Sequence, residues 1–264
     1  MKIGFIGCGN MASAIIGGIL KKGICGKEEI MVSNLTEAGS RRSQETLGVV
    51  TTRDNKEVVK NSRIVFLAVK PQYYADVISE VKDLITMEHL VITIAPGKTL
   101  DWLAKQFGKD LKIVRTMPNT PALVGEGMTG MCANEWVTEE EKIQVKEVLE
   151  SFGKVEEVPE HLLDVVVSVS GSSPAYIFMM IEAMADAAVA DGMPRAQAYK
   201  FAAQAVMGSA KMVLETGKHP GELKDMVCSP GGTTIEAVRC LERDGFRSAV
   251  IEAMKSCVEK GRNM

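Results

Sequence analysis

Through the first 160 residues, short runs of aliphatic and β-branched side chains alternate with segments whose apolar positions fall three and four apart. The apolar runs at 2–6, 30–33, 63–69, 90–94 and 112–115 have the length of buried strands. Between them, 11–22, 37–47, 56–60, 73–84 and 100–107 carry helical spacing and are short enough for crossovers. Such alternation builds βαβ units around a parallel sheet. After a loop at 117–130, an apolar run at 129–133, a helix over 138–152 and a strand at 154–158 would extend the sheet, and Pro159 marks a boundary. From 162 onward the strand pattern stops, and helices are separated by turns at 192–194, 217–220, 229–232 and Gly245. The expected architecture is α/β, with one domain over 1–160 and an all-helical domain over 161–264.

Within the helical half, Tyr176-Ile177-Phe178-Met179-Met180-Ile181 is apolar on every side and should be buried on all faces. About a hundred residues of helix offer little interior for it. Burial against the same domain of a second copy is therefore expected, and with it a homodimer.

The chain's 264 residues and 46% hydrophobic content suffice for a substantial core, which excludes a largely disordered chain. With 31 Lys and Arg against 34 Asp and Glu, the charge of -3 gives no general attraction to nucleic acid or anionic membranes, so a small-molecule partner is expected. Residues 3–20 lack charge and superficially resemble a signal peptide, but Gly4, Gly7, Gly9 and Asn10 interrupt an apolar helix there. The charge-free stretch 165–181 contains four serines, Gly171 and Pro174, too polar for an easy bilayer span, so no membrane segment is expected. Six cysteines without a Cys-x-x-Cys pair fit a reducing cytoplasm and give no metal site.

Gly7-Cys8-Gly9-Asn10-Met11-Ala12 follows an apolar strand and opens a helix, which is Gly-x-Gly-x-x-Gly/Ala in the context a dinucleotide requires. This gives the first domain a Rossmann-type, dinucleotide-binding character. Gly7 permits the tight turn, Gly9 lets a pyrophosphate approach the backbone, and Ala12 keeps the helix close to the strand, while the amides near Asn10 and Met11 face the anion. The second strand ends in Ser33-Asn34, where an NAD-binding protein would carry an acid. Arg41 and Arg42 follow, and one of them could reach a 2′-phosphate beside Ser33 and Asn34. NADPH is thus favoured, with NADH a weaker alternative; a solvated basic helix face explains at least one arginine.

Two later helix starts are rich in hydroxyls and glycine. In Ser170-Gly171-Ser172-Ser173-Pro174, an N-cap at Ser173 with Pro174 at the first helical position gives a structural account of those two residues only. In Ser229-Pro230-Gly231-Gly232-Thr233-Thr234-Ile235-Glu236, Thr233 and Glu236 have capping-box spacing. Two glycines ahead of a cap also expose amides to an anion, and a carboxylate would fit there.

The chain resembles the pyrroline-5-carboxylate reductases from residue 1 to about residue 260. The motifs that carry the resemblance are Gly4-Phe5-Ile6-Gly7-Cys8-Gly9-Asn10-Met11-Ala12, Phe66-Leu67-Ala68-Val69-Lys70-Pro71-Gln72, Arg115-Thr116-Met117-Pro118-Asn119-Thr120-Pro121, Ser170-Gly171-Ser172-Ser173-Pro174-Ala175-Tyr176, and the run from Leu223-Lys224-Asp225-Met226 through Ser229-Pro230-Gly231-Gly232-Thr233-Thr234. The resemblance implies that Ala68, Val69, Lys70 and Pro71, with Met117, Pro118 and Asn119, border the nicotinamide, and that Asn55 lies near the adenosine ribose. It also implies that Ser229, Gly232 and Thr233 hold a substrate carboxylate and that Thr234 is the catalytic hydroxyl beside the substrate nitrogen. The implied substrate is the cyclic imine 1-pyrroline-5-carboxylate, reduced by NADPH to L-proline. The implied assembly is a dimer in which partner helices complete the pocket, with ring-like decamers known in the family. Pro96 departs from the family's small residue and removes an amide.

Such chemistry needs orientation more than a strong acid, in keeping with motifs that hold no histidine and no obvious catalytic lysine. His89, His161 and His219 are scattered and read as surface or core residues, and Cys228 as a small thiol beside the pocket. A β-hydroxyacid dehydrogenase-like reductase would rely on a Lys-x-x-Asn pair, present in the helical half only at Lys260 and Asn263. A dinucleotide-sensing protein without catalysis is the alternative of another class.

Overall fold

The structure is a computed structural model that describes residues 2–262. Asn263 therefore lies outside the described residues. Two compact units emerge, one of residues 1–172 with 257–264, the other of residues 173–256. Residues 161–172, expected with the helical domain, cluster with the first unit.

In the first unit the chain runs β1 (Ile3–Ile6), α1 (Asn10–Lys22), β2 (Ile30–Ser33), α2 (Glu37–Leu47), β3 (Val50–Thr52), α3 (Asn55–Asn61), β4 (Ile64–Leu67), α4 (Tyr74–Val81), β5 (Leu90–Thr93), α5 (Leu100–Phe107), β6 (Lys112–Met117), β7 (Gly127–Ala133), α6 (Glu139–Leu149) and β8 (Gly153–Glu157). The strand order is β3-β2-β1-β4-β5-β6-β7-β8. Its first six strands are parallel and follow the doubly wound order, which reverses between β1 and β4. Ligands in such sheets bind outside the carboxyl ends of the strands at that switch.

Two features differ from the sequence reading. Strand β3 was not anticipated, because Val50-Thr51-Thr52 is too short to show alternation. The sheet is mixed, since β7 pairs antiparallel with β6 and β8 parallel with β7. A short 3-10 turn, Thr120–Val124, leads into β7 without a crossover helix, which fits an antiparallel return.

Both faces of the sheet are covered, so its central strands read as unbroken apolar runs. Alternation sends Ile3, Phe5, Ile64, Phe66, Leu90 and Ile92 toward α1 and α6, and Ile6, Val65, Leu67 and Val91 toward α3, α4 and α5. Phe5 and Phe66 stack at 4.6 Å across the β1–β4 pair. Tyr74, fully buried, donates to the Leu67 carbonyl at 2.5 Å and lies 2.9 Å from the Thr93 hydroxyl, which ties the ends of β4 and β5 together. After the sheet come α7 (Leu163–Val166) and a π-helical turn, Val167–Ser172. Gly130 on β7 lacks a Cβ that would otherwise sit 3.0 Å from Leu163 and Val166.

The second unit comprises α8 (Ser173–Ala190), α9 (Arg195–Thr216), α10 (Pro220–Val227), α11 (Thr233–Arg243) and most of α12 (Phe246–Arg262). Among its described residues the buried apolar side chains are Ala185, Ala198, Ala202 and Leu223, which is scarcely a core. Within one chain the 176–181 segment is left largely uncovered, with Phe178 63% and Met179 69% exposed. The helical stretch Glu160–Ala190 is, by length and composition alone, long and apolar enough to cross a membrane, and 11% of its most apolar window is buried.

Candidate functional site: a dinucleotide cradle and an uncapped glycine-led helix

The turn after β1 is built for a close-lying ligand. Gly7 adopts φ 92°, and a Cβ there would press against the Ala68 carbonyl at 2.9 Å. The loop after β4 thus packs directly beside the loop after β1, bringing Gly7, Ala68 and Val69 together at the switch point. Gly9 leads α1 in an extended conformation with no side-chain cap, and a Cβ on it would meet nothing within 4 Å. Open space therefore faces the free amides of the first turn, at Asn10 and Met11, where the helix dipole favours an anion. Ala12 is buried against the sheet. This cradle fits a dinucleotide pyrophosphate. Lys70, exposed, and Pro71 follow at the carboxyl edge and open the 3-10 turn Pro71–Tyr73.

At the end of β2 a hydrogen-bond chain fixes the polar groups. The amide of Gly7 donates to the Ser33 carbonyl at 3.1 Å and to its hydroxyl at 3.4 Å. Ser33 donates onward to Asn55 Oδ1 at 2.6 Å, and Asn55 Nδ2 donates to Glu80 at 2.8 Å. Asn34 donates to the Ser43 hydroxyl at 3.3 Å. Ser33, Asn34 and Asn55 are thus assembled in one place. Arg41 is not brought to them: its guanidinium pairs with Glu37 at 3.3 Å on an exposed face, a contact of roughly 0.3–0.5 kcal/mol that is easily exchanged. Sequence reading missed Arg53, which donates to the Leu35 carbonyl at 3.4 Å and so stands beside Asn34. The only signal for it was the unrecognised β3 just before it.

At the end of β6, Met117 and Pro118 lead to Asn119, whose side chain is already occupied. Its Nδ2 donates to the Ser170 carbonyl at 3.0 Å, and its Oδ1 accepts from the Met128 amide at 2.8 Å. The Ser170 carbonyl is special because Pro174, four residues on, has no N–H to give it. Ser173 is not an N-cap, since the chain is already helical through the π turn when it arrives.

The capping-box account of the later motif also fails. Gly231 takes φ 66°, Gly232 is the N-cap with no side-chain hydrogen bond, and Thr233 and Thr234 are the first two helical residues of α11. Glu236 bonds to Arg239 at 2.9 Å instead of reaching back. Ser229 closes the turn through its carbonyl, which accepts from the Gly232 amide at 3.0 Å, and a Cβ on Gly232 would lie 2.3 Å from the Ser229 hydroxyl and force it to turn aside. The motif offers uncapped amides, the exposed hydroxyls of Ser229 and Thr233, and the half-buried hydroxyl of Thr234.

Other polar residues have local work. His89 accepts from the Thr86 amide at 3.0 Å, and His219 caps α10 by accepting from Gly221 at 3.0 Å. Cys132 is a buried thiol whose pKa burial pushes up to about 12, which makes it inert.

Comparison with known proteins places the chain in a family. Residues 2–97 match the family model of NADP oxidoreductases, coenzyme F420-dependent, and residues 160–264 match that of pyrroline-5-carboxylate reductase dimerisation. A pyrroline-5-carboxylate reductase of Escherichia coli K12 is 55% identical over 100% of this chain and 98% of its own length. One from Arabidopsis thaliana is 40% identical over 100% and 95%. The crystal structure of Plasmodium falciparum pyrroline carboxylate reductase with NADP bound superposes with a TM-score of 0.92 at 32% identity, covering 100% of this chain and 97% of that one. The enzyme from Streptococcus pyogenes gives 0.90 at 34% identity, over 100% and 99%. From end to end, this chain belongs to the pyrroline-5-carboxylate reductase family.

Proposed function

We propose that the chain is an NADPH-dependent reductase that converts 1-pyrroline-5-carboxylate to L-proline, the last step of proline biosynthesis, with Ser229, Gly232, Thr233 and Thr234 as its substrate site. The observation that carries the site assignment is the start of α11, where two glycines precede a helix that no side chain caps. A carboxylate set against the amides of Thr233 and Thr234 gains hydrogen bonds and the favourable end of the dipole. Ser229 adds a hydroxyl at the same turn. In this reading the Thr234 hydroxyl bonds the imine nitrogen and helps deliver its proton. Bound NADPH supplies the hydride. Ser33, Asn34 and Asn55 hold its adenosine half, with Arg41 or Arg53 available to a 2′-phosphate, while Gly7, Gly9, Asn10 and Met11 hold the pyrophosphate. Ala68 to Pro71 and Met117 to Asn119 border the nicotinamide.

The nearly coreless helical unit and the bare Phe178 and Met179 support a homodimer, in which a second copy would cover the apolar length of α8. The same cover accounts for the long apolar helix without a bilayer. Six free cysteines suit a reducing cytoplasm. The test is NADPH oxidation with pyrroline-5-carboxylate, proline formation and molecular mass being recorded together. Cofactor binding without turnover would favour a dinucleotide sensor instead.

A further inference from the structure

Arg115 is 3% exposed on β6, two residues before Met117. It forks between two carboxylates: Nη1 meets Glu160 Oε1 at 3.2 Å and Nη2 meets Asp164 Oδ1 at 3.1 Å. Glu160 Oε1 also accepts from the Leu100 amide, the first residue of α5, at 2.7 Å. One carboxylate thus bonds both the α5 end of the β5–α5 loop and β6, two segments that converge on the carboxyl edge of the sheet. Beyond Met117, the Asn119 side-chain amide ties the turn that follows β6 to Ser170. From beneath, the Thr116 hydroxyl donates to the Thr93 carbonyl at 2.8 Å. The stretch 116–119, the end of β6 and the turn after it, is held on both flanks to the segment 160–172.

Stability alone does not explain this cluster. A buried guanidinium loses its hydration, and replacing buried ion pairs by apolar side chains of similar volume is often neutral or stabilising. What arginine adds is a rigid fork that sets two carboxylates, and thereby two backbone segments, at fixed positions.

We propose that Arg115 and Glu160 are positioning residues that set the Met117–Pro118 loop, and with it the nicotinamide edge of the site, from the first residues of the dimerisation segment. The inference rests on the reductase reading above. Because the proposed adenosine and pyrophosphate contacts lie elsewhere, at the Gly7 turn and the Ser33–Asn55 pair, loss of the fork should misalign the transferring carbon with little loss of binding.

The experiment compares Arg115→Met, Arg115→Lys and Glu160→Gln with the wild type. Expected for Arg115→Met are a fall in kcat of about tenfold, a larger primary isotope effect on kcat with NADPH deuterated at the transferred position, and an NADPH dissociation constant within about twofold of wild type by fluorescence. Arg115→Lys, which keeps the charge and loses the fork, falls between. Hydrogen exchange in the cofactor-free variants quickens over 96–102 and 115–121 and not at the Gly7 turn. Glu160→Gln shows the same signs more weakly, and it decides alone if Arg115→Met does not fold. The proposal is overturned if kcat and the isotope effect match wild type, or if kcat falls with an unchanged isotope effect in step with lost binding or folded fraction. A wild type that binds NADPH but does not turn over pyrroline-5-carboxylate would sink the reductase reading instead. Exchange over 115–121 would then still decide the role of the fork.

Discussion

Ser33 donates its hydroxyl hydrogen bond to the side-chain oxygen of Asn55 across 2.6 Å, and that single bond joins the end of β2 to the start of α3 beside the Gly7 turn. Because Glu80 holds the other end of the Asn55 amide, the amide cannot turn over without setting oxygen against carboxylate. Asn55→Ala should raise the KM for NADPH about fivefold or more with kcat near wild type, the loss expected for one hydrogen bond of about 1 kcal/mol. Steady-state kinetics with NADPH varied reads this directly. A fall confined to kcat would remove Asn55 from cofactor binding.

The role proposed for Thr234 is testable by removing its hydroxyl. Thr234→Ala should lower turnover by roughly tenfold or more while NADPH affinity stays nearly intact, since positioned proton delivery is commonly worth about a hundredfold. Unchanged turnover would exclude the hydroxyl from the mechanism.

The bare face of α8 makes a prediction about assembly. Met179→Asp places a charge on a side chain that is 69% exposed in one chain and buried in the proposed dimer. The variant should run at monomer mass in sedimentation and lose activity. A dimer of full activity would move the interface elsewhere.

Glu141 staples the opposite end of the sheet. Burial pushes its pKa up, but hydrogen bonds from Lys112, at 2.7 Å, and from the Thr138 amide outweigh that, and its carboxyl sits below the usual range. A depressed folded pKa stabilises fully above the unfolded value near 4.3 and loses that contribution as pH falls through the lower folded value. Glu141→Gln should cost about 2 kcal/mol at neutral pH, as for a hydrogen bond to a charged group, and the difference should shrink below about pH 4. Denaturant melts at several pH values measure it; a gap that widens in acid would reverse the assignment.

Two adjacent glycines in α1 should respond oppositely. A Cβ on Gly17 meets nothing within 4 Å, whereas one on Gly18 lies 2.8 Å from Phe152 and 2.9 Å from the Ser151 carbonyl. Gly17→Ala should stabilise by about 1 kcal/mol through helix propensity, about 2–4 °C in Tm, and Gly18→Ala should destabilise by about 1–3 kcal/mol through overpacking. Equal shifts would contradict the packing of α1.

Why some of this could be read from the chain and some could not follows from how far each signal reaches. Gly7, Gly9 and Ala12 were legible because the turn, the anion and the helix contact are all settled within six residues. The Ser33-Asn34 ending was legible by its missing acid. Strand β3 was not, because three residues cannot display a period, and Arg53 was lost with it. The cap assignments failed for a related reason: spacing placed Thr233 opposite Glu236, but the left-handed Gly231 ends its turn one residue earlier and makes Gly232 the cap. The partners of Arg115 and Asn119 lie some fifty residues away in sequence, beyond any local pattern.

The proline in the long helix carries a last consequence. Pro174 leaves the Ser170 carbonyl without its usual helical donor, and Asn119 supplies one from a distant loop. Restoring an N–H at 174 would let the helix satisfy itself and free the asparagine for other uses. The two positions are therefore coupled through one carbonyl, and among relatives they are expected to be exchanged together or not at all.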